Sequence, residues 1–259
     1  MSASALSLAG RTALITGAGG GIGRGLALAL ASAGANVTVA VRRKATGDET
    51  AALIRAEGGK VLVVEADVAK QVDVQNAVAA TVAQFSGLDI VVHNANAGDS
   101  AHPVALEEVT EESWHAQARV TWDGALWLAQ AALEPLKRSS AGRFILLGSA
   151  FGLHGAGFNP VYAALKGGIK GFTKSLAREW GPFGITVNAI QPAAATEPAE
   201  VFFNQYPEVR AAFMRNFPMG RMGRPREDIG GAVIAICCDE FGFITAQSIQ
   251  VDGGLYTAV

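Results

Sequence analysis

Uninterrupted apolar runs alternate along the chain with stretches whose apolar positions recur every three or four residues. The runs Thr12–Thr16, Asn36–Val41, Val61–Glu65, Ile90–His93, Phe144–Gly148, Thr186–Ile190 and Ser248–Val251 read as strands. A strand with no polar alternation is covered on both faces, as in a parallel sheet. Helical spacing falls on Ile22–Ala33, Glu49–Glu57, Val72–Phe85, a long stretch from about Glu111 to Lys137, Val161–Trp180 and Asp228–Cys238. Strand–helix alternation from end to end predicts a doubly wound α/β fold: a mostly parallel seven-stranded sheet with helices on both faces. No proline-rich or charged linker interrupts it, so residues 1–259 are expected to form a single domain.

Composition narrows the function classes. Half of the 259 residues are hydrophobic and 17% are charged, which excludes a disordered chain. The net charge of −2 carries no footprint of a nucleic-acid or anionic-membrane partner. No charged leader and apolar h-region open the chain, and no apolar run approaches the ~18 residues of a membrane helix, so a cytoplasmic location is expected. Cys237 and Cys238 are adjacent in an apolar stretch and read as small buried hydrophobes. The four histidines lack metal-ligand spacing, so no metal is expected. Thirty-one glycines without a period-three repeat must sit where the backbone turns sharply or approaches something closely.

Several of those glycines cluster between the first strand and helix, in Thr16-Gly17-Ala18-Gly19-Gly20-Gly21-Ile22-Gly23. The spacing G-x-x-x-G-x-G, from Gly17, Gly21 and Gly23, lets a backbone approach a pyrophosphate at a helix N-terminus. Gly19, Gly20 and Ile22 belong to the same expected cofactor loop. At the end of the second strand, an acid would accept from a ribose 2′-hydroxyl. Here Val41 is followed by Arg42, Arg43 and Lys44. Guanidinium groups favour a 2′-phosphate, so NADP(H) is expected over NAD(H), with Arg42 and Arg43 binding it. Asp48 and Glu49 are expected to cap the helix that follows.

Tyr162 and Lys166 stand four residues apart in a helical stretch, on one face. A nearby ammonium stabilises a phenolate and makes the phenol a usable acid/base. Ser149, thirteen residues before Tyr162, follows the fifth strand, where its hydroxyl would face a ligand crevice. With the glycine loop, Ser149, Tyr162 and Lys166 in this order, the chain resembles the short-chain dehydrogenase/reductase family, whose domain is of the Rossmann type. Asp67-Val68, Leu88-Asp89-Ile90, Val251-Asp252-Gly253-Gly254, and Gly220-Arg221-Met222-Gly223-Arg224-Pro225 followed by Asp228 extend the likeness over nearly the whole length.

The resemblance implies an oxidoreductase that transfers hydride between the cofactor and a carbonyl or secondary alcohol. Tyr162 would be the general acid/base and Ser149 would hold the reacting oxygen. Lys166 would hold the nicotinamide ribose and lower the pKa of Tyr162. Asp67 and Val68 would flank the adenine, Thr196 would contact the carboxamide, and Asn94 and Pro192 would lie beside the cofactor. Thr121 falls where the family has a catalytic asparagine. A chain that binds the cofactor as a regulator or scaffold, its chemistry decayed, is the alternative.

Other departures concern glycine. Asn96 replaces one after the fourth strand, and asparagine best tolerates a left-handed backbone. Ala193 and Ala246 replace two more, and a β-carbon at either place needs an ordinary backbone conformation or a small shift. A substrate lid is expected at about 193–219, where Phe202, Phe203, Tyr206, Phe213, Met214 and Phe217 either wall a hydrophobic or cyclic substrate or simply pack on the domain. Phe151, His154 and Phe158 are expected to line the pocket, His154 as a polar wall group. Family members assemble as homotetramers or homodimers through two long helices, here about Glu111–Lys137 and Val161–Trp180.

Overall fold

A computed structural model describes residues 6–98, 100 and 102–256, apart from the side chains of Pro198, Ala199 and Phe202. Five expected strands appear with the expected bounds: β1 (Thr12–Thr16), β2 (Asn36–Val41), β3 (Val61–Glu65), β4 (Ile90–His93) and β7 (Ser248–Val251). The other two, β5 (Arg143–Leu147) and β6 (Thr186–Pro192), shift by one or two residues. Strands β1, β4 and β5 are buried at every position, as unbroken apolar runs require.

All pairings are parallel, in the order β3-β2-β1-β4-β5-β6-β7. The order reverses between β1 and β4. Connections leave these two strands to opposite sides, which opens a crevice at their carboxyl ends.

The helices run α1 (Gly21–Ser32), α2 (Lys44–Ala56), α3 (Gln71–Phe85), α4 (Glu111–Ala118), α5 (Gly124–Arg138), α6 (Phe151–His154), α7 (Pro160–Trp180), α8 (Glu197–Gln205), α9 (Pro207–Met214) and α10 (Gly230–Cys237). Two apolar cores follow from the two faces of the sheet. One gathers Leu14, Val91, Phe144 and Val187 with Leu128, Leu136, Ile169 and Trp180 from α5 and α7. The other gathers Ile15, Val39, Val92 and Ile190 with Leu26, Leu30, Val233 and Ile236 from α1 and α10. None of the described helices is long and apolar enough to cross a membrane.

Three expectations are corrected. The long helical stretch is broken by a π turn at Arg119–Asp123, and a second π turn, Pro225–Ile229, precedes α10. Helix α2 begins at Lys44, five residues earlier than the apolar spacing indicated, because its first turn carries only Ala45, Thr46 and Gly47. Asp48 and Glu49 are therefore inside α2 and do not cap it. Asp48 pairs with Lys44 at 2.8 Å and Glu49 with Arg24 at 2.7 Å.

The substituted glycines diverge. Asn96 and Ala193 keep negative φ, so neither occupies the left-handed region. Asn96 instead donates from Nδ2 to Ser100 Oγ. Ala246 is not in an ordinary conformation: it has φ +62°, and its N–H donates to the Val187 carbonyl at 2.8 Å. A β-carbon in that conformation costs roughly 1 kcal/mol. Ala246→Gly is therefore expected to raise the free energy of unfolding by about 0.5–1 kcal/mol, read as a higher urea midpoint with unchanged slope. An unmoved midpoint would show the left-handed turn to be unstrained.

Candidate active site

The crevice at the carboxyl ends of the strands is a cleft of about 1270 Å³. Pockets for drug-sized ligands hold roughly 300–1,000 Å³, so this one has room for a larger molecule. Its wall includes Gly17, Gly19, Gly20, Gly21, Ile22, Gly23, Arg42, Arg43, Asp67, Val68, Asn94, Ser149, Tyr162, Lys166, Pro192 and Thr196. Every expected catalytic and cofactor-binding residue lies there except Thr121, which is buried in the π turn beside the wall residues Arg119 and Val120.

The loop from β1 into α1 is a cradle that side chains would fill. A β-carbon on Gly23 would sit 2.3 Å from the Gly17 carbonyl and 2.5 Å from Asn94 Nδ2. Gly17 itself has φ +66°. Asn94 secures the loop from β4: its Nδ2 donates to the carbonyls of Thr16 at 3.0 Å and Gly17 at 3.1 Å. Helix α1 starts at Gly21 behind Gly20, and no side chain caps it. Its first N–H groups and the positive end of its dipole thus address the cleft, which suits a pyrophosphate.

Two kinds of cation line the cleft. Arg24 is committed: it donates to the Gly19 carbonyl at 2.6 Å and to Glu49 at 2.7 Å, and lies 3.9 Å from Glu197. Arg42 and Arg43 are exposed at the end of β2 and make no such contacts among the described residues, while Lys44, third of the basic triplet, is tied to Asp48. Arg24, Glu197 and Arg119 escaped the sequence reading. Arg24 could have been found as the first basic residue after the glycine loop. Arg119 could not, since only the π turn brings it to the wall.

At the opposite end, Ser149 hydrogen-bonds the Tyr162 side chain and accepts from the Phe151 N–H at 3.2 Å. Burial pushes the Tyr162 phenol up, and the Ser149 bond opposes this. Lys166 is 5% exposed, and its Nζ donates to the Leu147 carbonyl at 2.8 Å and lies 5.5 Å from the centre of the Tyr162 ring. Burial pushes its pKa down to about 8. The expected lowering of the phenol by Lys166 is not what this geometry shows: desolvation dominates, and the ammonium is turned to β5.

Of the two readings of the aromatic segment, the structure shows packing within the domain. Phe203, Phe217 and Met222 form a small core with Phe213 and Met214, with Phe203 stacked on Phe213 at 5.4 Å and Phe213 edge-on to Phe217 at 5.3 Å. These rings pack on one another, and among the described residues of this stretch the cleft receives Thr196 and Glu197. The Phe202 side chain lies outside the described residues. Phe151, His154 and Phe158 do not line the cleft either. Phe151 meets the Tyr162 ring edge-on at 6.1 Å, His154 stacks on Tyr256 at 4.8 Å, and Phe158 is 69% exposed.

A family profile described as enoyl-(acyl carrier protein) reductase matches residues 17–256. An oxidoreductase of Thermotoga maritima is 35% identical over 253 residues, covering 96% of this chain and 98% of that protein. The chain belongs to the short-chain dehydrogenase/reductase family. Among solved structures, a short-chain alcohol dehydrogenase assigned in Sinorhizobium meliloti superposes with a TM-score of 0.90 at 33% identity, covering 96% of this chain and 98% of that one. A 3-ketoacyl-(acyl-carrier-protein) reductase from Brucella melitensis, solved with NADH, gives 0.87 at 32% identity, covering 96% and 99%. As a member of this family the chain is an oxidoreductase.

Lys166 has a consequence for stability. Its folded pKa lies below the ordinary lysine value of 10.5, so the folded state holds the charged form at a cost that is fully present below about pH 8. Between about pH 8 and 10.5 the unfolded chain binds the extra proton, and stability rises with pH. In the cofactor-free protein, Lys166→Met is expected to be about 1–2 kcal/mol more stable at pH 7, the lost Leu147 bond offsetting part of the gain. That advantage should shrink as denaturant titrations move from pH 8 to 10. An advantage constant with pH would mean that the lysine titrates alike in the folded and unfolded chains.

Proposed function

We propose that the protein is an NADP(H)-dependent reductase or dehydrogenase acting on a carbonyl or secondary alcohol of a small molecule, with Tyr162 as general acid/base. The observation that supports this is the joint placement, in one cleft, of an uncapped glycine cradle, two uncommitted arginines and the Ser149–Tyr162–Lys166 group. The cradle and the N-terminus of α1 would hold the pyrophosphate. Arg42 and Arg43 would hold a 2′-phosphate, Asp67 and Val68 would flank the adenine, and Thr196 with Pro192 would face the nicotinamide end. The chemistry that the nicotinamide supplies when bound is hydride transfer to or from the substrate carbon.

The chain's own residues handle the proton and the oxygen. Ser149 donates to the substrate oxygen and holds it beside Tyr162. Burial keeps the Tyr162 phenol protonated at neutral pH, the state needed to donate to an oxygen that gains charge during reduction. Lys166, still largely charged at pH 7, opposes the negative charge left on the phenol. Thr121 is buried in the π turn.

The segment at about 193–219 would act as a substrate lid, hinged where Thr196 and Glu197 meet the glycine loop. Its self-packed aromatics leave the hydrophobic or cyclic character of the substrate supported by composition only. Assembly as a homotetramer or homodimer suits exposed Ala164, Gly168 and Gly171 along α7, with exposed Trp122 of the π turn and Leu126 of α5. The two free, buried cysteines suit a cytoplasmic location.

Two measurements test the reading. Tyr162→Phe is expected to lower kcat by about 1,000-fold or more, while the NADPH dissociation constant changes less than about threefold. Turnover within tenfold of the parent across a ketone panel would overturn the role of Tyr162. The parent should prefer NADPH to NADH in kcat/KM, and Arg42→Asp should shift that ratio toward NADH by about 10–100-fold, the worth of one or two charge-assisted hydrogen bonds. Equal use of both cofactors by the parent would refute the 2′-phosphate assignment.

A further inference from the structure

His93 ends β4 with its imidazole 3% exposed, next to the catalytic group but outside the wall of the cleft. Its Nδ1 lies 3.3 Å from Thr16 Oγ1. That hydroxyl oxygen already accepts from the N–H groups of Asn94 and Ala95, each at 3.1 Å. A hydroxyl has two lone pairs and one proton. With both lone pairs engaged, the proton goes to Nδ1, so the ring is neutral and carries its own hydrogen on Nε2.

That nitrogen is buried and makes no well-aligned hydrogen bond among the described residues. The ring faces the backbone of Thr121 and Val120, and its Cε1 is 3.2 Å from where a β-carbon on Gly124 would stand. These three residues belong to the π turn and its exit. There the Gly124 N–H reaches back five residues to the Arg119 carbonyl, which leaves the helical ladder one bond short. A π turn inside an α-helix commonly marks a functional site. From the other side, the Lys166 ammonium bears on His93: burial first, and that charge second, push the imidazole down to about 4.

We propose that His93 is a positioning residue of the catalytic centre, its Nε2–H fixed by Thr16 toward the Val120–Thr121 backbone so that the π turn is pinned against β4 behind Lys166. The inference rests on the oxidoreductase reading above. A neutral imidazole suits the task. It donates to a carbonyl that the ladder leaves over, and it adds no second positive charge beside the ammonium. Thr121 offers only a hydroxyl, so the polar connection across this gap falls to His93.

Nitrogen-15 NMR of the histidine-labelled full chain tests the geometry without activity. His93 should show the Nε2–H tautomer and stay neutral from pH 8 to about 5. An Nδ1–H tautomer, or protonation of His93 between pH 8 and about 5, overturns the proposal. Activity then tests the positioning role. His93→Phe keeps a ring and removes both nitrogens. It should lower kcat about tenfold with KM within about threefold, and move the pH–rate limb set by the catalytic group about half a unit or more to lower pH. His93→Gln, which restores a donor, should recover at least half of kcat and return the limb.

Equal behaviour of the Gln and Phe variants, or an unmoved limb in His93→Phe, refutes the role. Should His93→Phe fail to fold, Thr16→Val is the substitute, since it frees the tautomer and should give the same limb shift. A parent enzyme inert with both cofactors would sink the oxidoreductase reading and the positioning role with it, while the tautomer result still decides the geometry.

Discussion

The ends of β1 and β4 are bound to each other by side chains as well as by the sheet, and the cleft depends on that tie. Thr16 Oγ1 collects two backbone N–H groups from the residues after β4, while the Asn94 amide returns two bonds to the residues ending β1. Together they hold the two strands where the sheet reverses its order, and a parallel sheet opens its crevice there. The glycine cradle rests against the Asn94 amide, so the close approach at Gly17 and Gly23 follows from the same contact. His93 hangs from Thr16 on the other side. One threonine hydroxyl therefore connects the phosphate end of the site to the π turn behind its catalytic end.

The catalytic end carries a charge that folding alone would not choose. Lys166 is buried, with its ammonium donating to the Leu147 carbonyl, and burial lowers its pKa. A group kept charged at the expense of stability marks a functional site more often than a structural one. Burial acts in the opposite sense on Tyr162, keeping the phenol protonated. The two shifts leave a proton donor beside a cation in the cofactor-free state. A phenolate at Tyr162 would gain from Lys166, whose ammonium has two N–H groups besides the one given to the Leu147 carbonyl.

The sequence was legible where one physical rule acted alone. Unbroken apolar runs located the strands because burial on both faces admits nothing else, and glycine spacing located the cradle because side chains do not fit there. Ser149, Tyr162 and Lys166 were legible through order and spacing. The reading failed where tertiary packing decides. The start of α2 was hidden by a polar first turn, and neither π turn leaves a periodic signature in so short a window. The aromatics after Ala193 looked the same whether they faced a ligand or each other. Ala246 keeps a glycine conformation although it has a β-carbon, a strain that composition does not disclose.

The charges of the cleft separate by whether folding has already used them. Arg24 is satisfied by the Gly19 carbonyl, Glu49 and the approach of Glu197, so it builds the loop and links it to the start of α8. Lys44 is spent on Asp48 in the first turn of α2. Arg42 and Arg43 are left at the end of β2, at the mouth of the same cleft, with their guanidinium groups uncommitted. A chain with a net charge of −2 has acids enough to pair these two, yet the acid nearest in sequence, Asp48, is held by the lysine. Leaving two forked donors free beside a dinucleotide cradle makes physical sense when the missing anion arrives with the ligand. A ribose hydroxyl would need one acceptor there; the site presents donors.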